Sequence, residues 1–282
     1  MKILDGKAVA AHRQSRLREQ ASDFKRKYGR SPRLDVILVG DDPASRVYVG
    51  SKHKTSQKLG LDSAVHLMAA TSTQSEVLAK LESLKADGAV DGILVQLPLP
   101  KHIDTEAIIA AIPAEKDADG LSLGSMGALL RGVGRIRPCT PQGVIHILEH
   151  YEISLAGKSA VVVGRSLIVG KPMALLLLEN NCTVTIAHSK TPDVVAVTRA
   201  AEIVVVAAGL PRFLGREAFA KGSVVVDVGM HRLSTGLCGD VKFDELAGHV
   251  AAATPVPGGV GPMTITTLLE NTLTLALARE GE

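Results

Sequence analysis

The chain has 282 residues and a formal net charge of +3, and it is 46% hydrophobic but only 2% aromatic, with no tryptophan. Its apolar content is therefore aliphatic, which excludes a disordered chain and argues against a single-strand nucleic-acid binder that stacks bases on aromatic rings. The charge is too mild to call for a nucleic-acid partner, and the length implies one large domain or two ordinary ones, each able to bury a core.

The opening MKILDGKAVAAHRQ turns charged too early for a secretory signal, and the pattern over 7–28 predicts a helix. DVILVG (35–40) reads as a strand, followed by a turn at Asp41, Asp42 and Pro43 and a helix over 44–59. That helix carries Tyr48 and Lys52 at i and i+4, on one face. A phenol beside an amine can relay a proton; the plainer alternative puts Tyr48 in the core and turns Lys52 outward along its stem. A helix over 74–87 precedes GILVQLP (92–98), a strand stopped by Pro98 and Pro100. Gln96 then falls at the C-terminal end of a parallel strand, where α/β sheets bind ligands, unless it is a buried amide satisfied locally. In EKDADG, Asp117 and Asp119 stand two apart before Gly120. A carboxylate there can accept two hydrogen bonds from a planar donor edge, or can merely shape a turn.

CTPQGVIHILEHYEI predicts a helix over 141–151 with Thr140 as its N-cap and Pro141 at its first position. A tighter unit follows, with strands at 160–164, 183–188, 203–209 and 224–229 and helices over 171–181 and 191–200. All six predicted strands are short, continuous and rich in β-branched residues, the pattern of strands buried on both faces. The alternation predicts an α/β fold with mostly parallel sheets and two domains, 1–145 and 146–264, with the last helix (265–282) packing back on the first.

AVVVGRSLIVGKP spaces Gly164-x-Ser166-x-x-Val169-Gly170 across a strand-to-helix turn, where a Rossmann-like domain holds a diphosphate. Ser166 stands where the fingerprint wants a second glycine, and a tight turn with no ligand fits the same residues. The next strand ends in His188, Ser189 and Lys190, with no acid to bind a ribose diol. With Arg165 opposite, that end suits a 2′-phosphate, hence NADP over NAD. TPVPGGVGPMT (254–264) mixes stiff and permissive residues, as a loop does that brings backbone close to a ligand. Cys139, Cys182 and Cys238 are too far apart for a metal or disulfide pattern, and no apolar run nears the ~20 residues of a membrane span. A soluble, cytoplasmic protein without membrane or metal is the expectation.

VILVGDDPASRVYVGSKHK, GILVQLPLP, EKDADG, RPCTPQGV, GRSLIVGKP, AHSKT and PVPGGVGPMT, in that order, resemble the bifunctional methylenetetrahydrofolate dehydrogenase/methenyltetrahydrofolate cyclohydrolase family, the FolD type. The resemblance covers nearly the whole chain. It implies an N-terminal α/β folate-binding domain, a C-terminal Rossmann-like NADP-binding domain, a cleft between them, and a homodimer. It implies oxidation of 5,10-methylenetetrahydrofolate by NADP⁺, then hydrolysis to 10-formyltetrahydrofolate. By motif position Lys52 is the catalytic lysine, Gln96 holds and tunes it, Tyr48 packs on the substrate's benzoyl ring, and Asp119 pairs with the pterin edge. Gly164, Arg165 and Ser166 bind NADP, with Ser189 near the 2′-phosphate. Pro257, Gly258, Gly261 and Thr264 line the folate side. Met230 stands where the family usually has isoleucine, its backbone serving the nicotinamide. A dehydrogenase with weak cyclohydrolase, or a non-catalytic NADP-binding module, are the alternatives. An edge strand such as 203–209 or 224–229 is the candidate dimer surface. Because aromatics are so scarce, Tyr48 is expected to serve substrate rather than folding.

Overall fold

The computed structural model describes residues 1–234 and 236–281, the side chain of Ala44 apart. In chain order the described residues form β1 (Lys2–Ile3), α1 (Gly6–Tyr28), β2 (Arg33–Val39), α2 (Pro43–Lys58), β3 (Asp62–Met68), α3 (Gln74–Ala86) and β4 (Gly92–Val95). Next come α4 (Thr105–Ala110), a 3₁₀ turn at Ala114–Lys116, α5 (Leu123–Leu130), α6 (Cys139–His150), β5 (Ser159–Val163), α7 (Gly170–Glu179) and β6 (Thr183–Ala187). The chain continues with α8 (Val194–Arg199), β7 (Ile203–Val206), β8 (Val224–Asp227), β9 (His231–Leu233), β10 (Gly236–Cys238), β11 (Ala252–Ala253) and α9 (Val260–Arg279). None of these helices is long and apolar enough to cross a membrane.

The chain divides into two compact units. The first holds Arg13–Arg137 and the chain from Ile265 onward. Its described strands form a parallel sheet in the order β3-β2-β4. Local chemistry sets its helix starts. Asp42 caps α2 by accepting the Ser45 N–H at 2.7 Å, with Pro43 at the first position. Thr73 and Glu76 close a capping box on α3. β2 is buried along almost its whole length, and Ile37, Val39, Ile93 and Val95 join Val77 and Leu81 of α3 in one aliphatic core. From the far end of the sequence, Asn271 on α9 donates to the carbonyls of Ala118 and Arg137, both at 2.9 Å. Arg279 and Arg30 reach the fully buried Asp91 at 2.6 and 2.7 Å, just ahead of β4.

The second unit holds Met1–His12 and Pro138–Thr264. Its described strands form one sheet in the order β1-β11-β8-β7-β5-β6, all parallel, with β9 and β10 as a separate hairpin. This division differs from a boundary at 145/146. β1 pairs with β11, the Asp5 N–H donates to the Tyr151 hydroxyl at 3.0 Å, and α6 packs on α7. The first residues and α6 therefore go with the second unit. The expected last helix, 265–282, starts earlier, at Val260, and Glu282 lies outside the described residues.

Each predicted strand is present, but β6 is half exposed because it is the sheet's edge. β7 and β8, offered as candidate edges, are interior strands with partners on both sides, so neither is an open dimer surface. α6 begins at Cys139 with Pro138 as its cap residue; Thr140 is already inside the helix, and its hydroxyl bonds Thr264 at 3.0 Å instead of capping.

A buried carboxylate ties the turns beyond β8. Asp227, 3% exposed, accepts the N–H groups of Gly229 at 2.9 Å, Asp240 at 3.0 Å and Val241 at 2.9 Å. A Cβ at Gly239 would strike this carboxylate, so only glycine leaves it room. Burial, opposed by those three N–H groups and reinforced by the charge of Asp240, pushes the Asp227 carboxyl up from 3.8 to about 6. A folded-state value above the unfolded one means the native state holds the proton more tightly. Its stabilising contribution is present below about pH 4 and lost as pH rises through 6. Relative to Asp227→Asn, the unaltered protein should lose about 2 kcal/mol of unfolding free energy between pH 4 and pH 7, as a shift of about two pK units dictates over that range. Urea unfolding of the two proteins across this range checks it; parallel pH profiles would contradict it.

Candidate active site

Lys52 is turned inward, against the plainer expectation for a helix lysine. It is 5% exposed, and its Nζ donates to Oε1 of Gln96 at 2.9 Å. The same Nζ lies 4.8 Å from the centroid of the Tyr48 ring, as the i, i+4 spacing on α2 requires. Gln96 follows the last residue of β4. Its own N–H donates to the Ile37 carbonyl at 2.9 Å, extending the ladder with β2 by one bond, and its Nε2 donates to the Leu97 carbonyl at 2.6 Å. The amide is thus oriented by backbone, with Oε1 given to the amine. Leu97–Pro98 is a cis peptide bond. The structure therefore brings Lys52, Tyr48 and Gln96 together at the C-terminal end of the first unit's sheet.

The two aspartates of EKDADG divide their work. Asp117, fully buried, accepts the N–H groups of Gly120 at 2.9 Å and Ser122 at 2.7 Å. It is the turn carboxylate. Asp119 is half buried, one residue past Ala118, whose N–H reaches the Ile93 carbonyl of β4 at 3.4 Å. Sequence reasoning missed Lys116. Buried ahead of this turn, it donates to the carbonyls of Leu84, Lys85 and Asp87 at 3.0, 2.9 and 2.7 Å, closing the C-terminal end of α3. Burial pushes its amine below the usual lysine range. A lysine between Glu and Asp in a polar hexapeptide gives no hint of burial.

In the second unit, Gly164, Arg165, Ser166 and Ser189 line one cavity of about 250 Å³, with His188 and Phe213 among the other walls. It lies at the C-terminal ends of β5, β6 and β7. Gly164 has φ +126°, and a Cβ there would meet the Ala207 carbonyl, so the turn demands glycine. The Ser166 hydroxyl accepts the N–H groups of Val169 and Gly170, each at 3.2 Å, at the start of α7. Two amides that a diphosphate would meet are thus engaged by Ser166, whose O–H proton is spent in neither bond. No acidic residue is among those lining the cavity. An arginine, two serines and a histidine without a carboxylate fit a phosphate-bearing nucleotide such as NADP. Lys190 is not among the lining residues, and Met230, 56% exposed, lies in the turn after β8 outside that cavity.

The Gly/Pro loop also belongs to the second unit. Val256–Pro257 is cis, Gly258 has φ +107° and accepts the Lys7 N–H at 3.2 Å, and α9 already begins at Val260. Gly261 has open space where a Cβ would stand, and Thr264 meets Thr140. These four residues thus lie in a different unit from Lys52.

The sequence matches the family described as tetrahydrofolate dehydrogenase/cyclohydrolase, catalytic domain, over residues 4–119, and its NAD(P)-binding domain over 138–280. It is 54% identical over 279 residues to the bifunctional protein FolD of Bdellovibrio bacteriovorus, covering 98% of this chain and 97% of that one. The fold is similar to the crystal structure of the bifunctional FolD of Campylobacter jejuni, with TM-score 0.96, 46% identity and 99% of each chain covered. It is also similar to the Trypanosoma brucei methylenetetrahydrofolate dehydrogenase-cyclohydrolase in complex with NADP and inhibitor, with TM-score 0.95, 39% identity, and 99% and 98% of the two chains covered. With both of its parts matched and near-complete coverage of relatives well above 30% identity, the chain belongs to the tetrahydrofolate dehydrogenase/cyclohydrolase family.

Proposed function

We propose that the Lys52–Gln96–Tyr48 cluster is the proton-handling centre of a bifunctional one-carbon folate enzyme. The enzyme oxidises 5,10-methylenetetrahydrofolate to the 5,10-methenyl form with NADP⁺, then hydrolyses it to 10-formyltetrahydrofolate. The observation that carries this reading is the buried Lys52 amine held at 2.9 Å by an amide at a strand end. NADP⁺, when bound, supplies the hydride acceptor.

In the oxidation a hydride leaves the methylene carbon while the folate nitrogen supplies the electron push, so the protein's task is positioning. Hydrolysis needs proton transfers. A water oxygen bonds to the methenyl carbon and gives up one proton, the bond from that carbon to a ring nitrogen breaks as the nitrogen takes a proton, and the remaining hydroxyl proton leaves to solvent as the formyl C=O forms. A neutral Lys52 amine takes the first proton and returns it to the ring nitrogen. An amine does this near neutral pH only where burial or neighbours disfavour its charge, and Lys52 is buried. Gln96 Oε1 fixes the amine's direction. Tyr48 packs on the benzoyl ring of the substrate, and Asp119 accepts the pterin's paired N–H groups, which sets orientation as well as affinity.

Arg165, Ser166 and Ser189 hold the phosphate-bearing end of NADP at the Gly164 turn. Met230 serves the nicotinamide through its backbone. Pro257, Gly258, Gly261 and Thr264 line the folate side. The folate-binding role falls to the domain carrying Lys52 and the NADP-binding role to the domain carrying Gly164. We extend the reading to a cytoplasmic homodimer, on the family likeness and on three cysteines that are all free thiols.

In a Lys52→Met variant, hydrolysis of methenyltetrahydrofolate should fall about 100-fold or more, within the usual range for a lost general base, and hydride transfer far less. Following each rate separately by absorbance checks this; equal losses would contradict the role given to Lys52. Arg165→Ala should weaken NADP⁺ by about tenfold or more, the worth of a charged hydrogen bond, and NAD⁺ far less. Steady-state KM values for the two cofactors decide it, and an unaltered enzyme that prefers NAD⁺ would overturn the phosphate reading.

A further inference from the structure

One buried carboxylate in the second unit reaches two of the loops that leave the sheet at its C-terminal edge. Asp240 is fully buried and is met by four donors. Its Oδ2 accepts the N–H groups of Ala208 at 2.6 Å and Gly209 at 2.9 Å. Its Oδ1 accepts the Leu210 N–H at 3.1 Å and lies 2.6 Å from the Nε2 of His231. A carboxylate can only accept, so Nε2 carries the proton in that bond. Room is reserved for the arrangement, since a Cβ at Gly229 would overlap the Asp240 carboxylate. The Asp240 N–H is itself anchored on Asp227 at 3.0 Å.

The first loop borders the nucleotide cavity, and the second carries Met230, to which the proposed function gives the nicotinamide. Ala208 and Leu210 form part of the wall of the cavity that carries Gly164, Arg165, Ser166 and Ser189. His231 directly follows Met230 in the turn after β8. Three consecutive amides on one carboxylate leave the first loop little freedom to rotate. The histidine adds the second loop to the same anchor. Its side chain is partly exposed, with 21% of its surface open, so it is not a core residue. Without it, Asp240 keeps three amide donors and is not stranded, so the unit still folds while the two loops are uncoupled.

We propose that His231 and Asp240 form a positioning pair for NADP. Asp240 sets the Ala208–Leu210 wall, His231 locks the Met230 turn to it, and cofactor affinity depends on the His231 donor more than the chemical step does. The proposal rests on the reading that this cavity takes NADP.

The test uses the full chain as His231→Ala and as His231→Gln, whose side-chain amide N–H reaches about as far as ring Nε2. Three quantities are read: hydrogen exchange of the amides at 208–210 without cofactor, NADPH binding by fluorescence titration, and KM for NADP⁺ against kcat. With alanine, exchange at 208–210 should quicken about tenfold, Kd and KM should rise about tenfold, and kcat should stay within about twofold, as for one lost charge-assisted bond. Glutamine should restore both exchange and affinity to within about threefold of the unaltered protein. Unchanged exchange or affinity in the alanine variant overturns the proposal. So does an equal defect in both variants, or a fall in kcat without a rise in KM. An unaltered protein that does not bind NADPH overturns the cofactor reading itself, and the positioning role with it.

Discussion

Parallel strands that are aliphatic on both faces can place polar chemistry only where they end, and the rest of this molecule follows from that constraint. β4, β5, β7 and β8 are buried along nearly all their length. Asp227 at the end of β8 apart, every buried residue of these four strands is apolar. Their C-terminal ends are where the chain changes character, with Gln96 after β4, Gly164 and Arg165 after β5, Ala208–Leu210 after β7, and Asp227 closing β8. Gln96 and Gly164 are held by backbone carbonyls, Ala208–Leu210 by the Asp240 carboxylate and Asp227 by three backbone N–H groups, so these strand ends are fixed to the structure around them.

Both units use the same economy of means. A buried charged group gathers loose backbone ends: Lys116 takes the last carbonyls of α3, Asp117 the turn before α5, Asp227 the turns around Gly229 and Val241, and Asp240 the loop after β7. Unpaired buried backbone would cost more than any of these contacts returns, so the loops are shaped by where a donor or acceptor can be found. The glycines at 229 and 239 make sense in the same terms, since each leaves space for a carboxylate that a side chain would fill.

Much of this was legible in the sequence because the informative residues sit at strand ends and at helical spacing. The β-branched runs located six strands, and Tyr48 and Lys52 shared a face from their spacing alone. What the spacing could not settle was whether Lys52 points in or out, because the partner that turns it inward, Gln96, arrives 44 residues later. β1 escaped for the opposite reason: two residues carry no period, and their partner strand lies at the far end of the chain. β3 was missed because an edge strand is half exposed and mixes polar with apolar residues. Asp117 and Asp119 looked equivalent in sequence; only the turn's amides separate them. The contacts of the Asp240 carboxylate had no local signal beyond a charged residue after a glycine, since its partners come from two separate segments, 208–210 and His231. The family resemblance supplied what no pattern could, namely which ligand chemistry these ends serve.

One chain carries both reactions in sequence. A spectrophotometric progress curve with purified protein, 5,10-methylenetetrahydrofolate and NADP⁺ measures it directly. The expected trace shows the methenyl absorbance rising only when NADP⁺ is present, then decaying to the formyl product faster than it does once the protein is removed. No NADP⁺-dependent rise, or a rise whose decay is the same without protein, would contradict it.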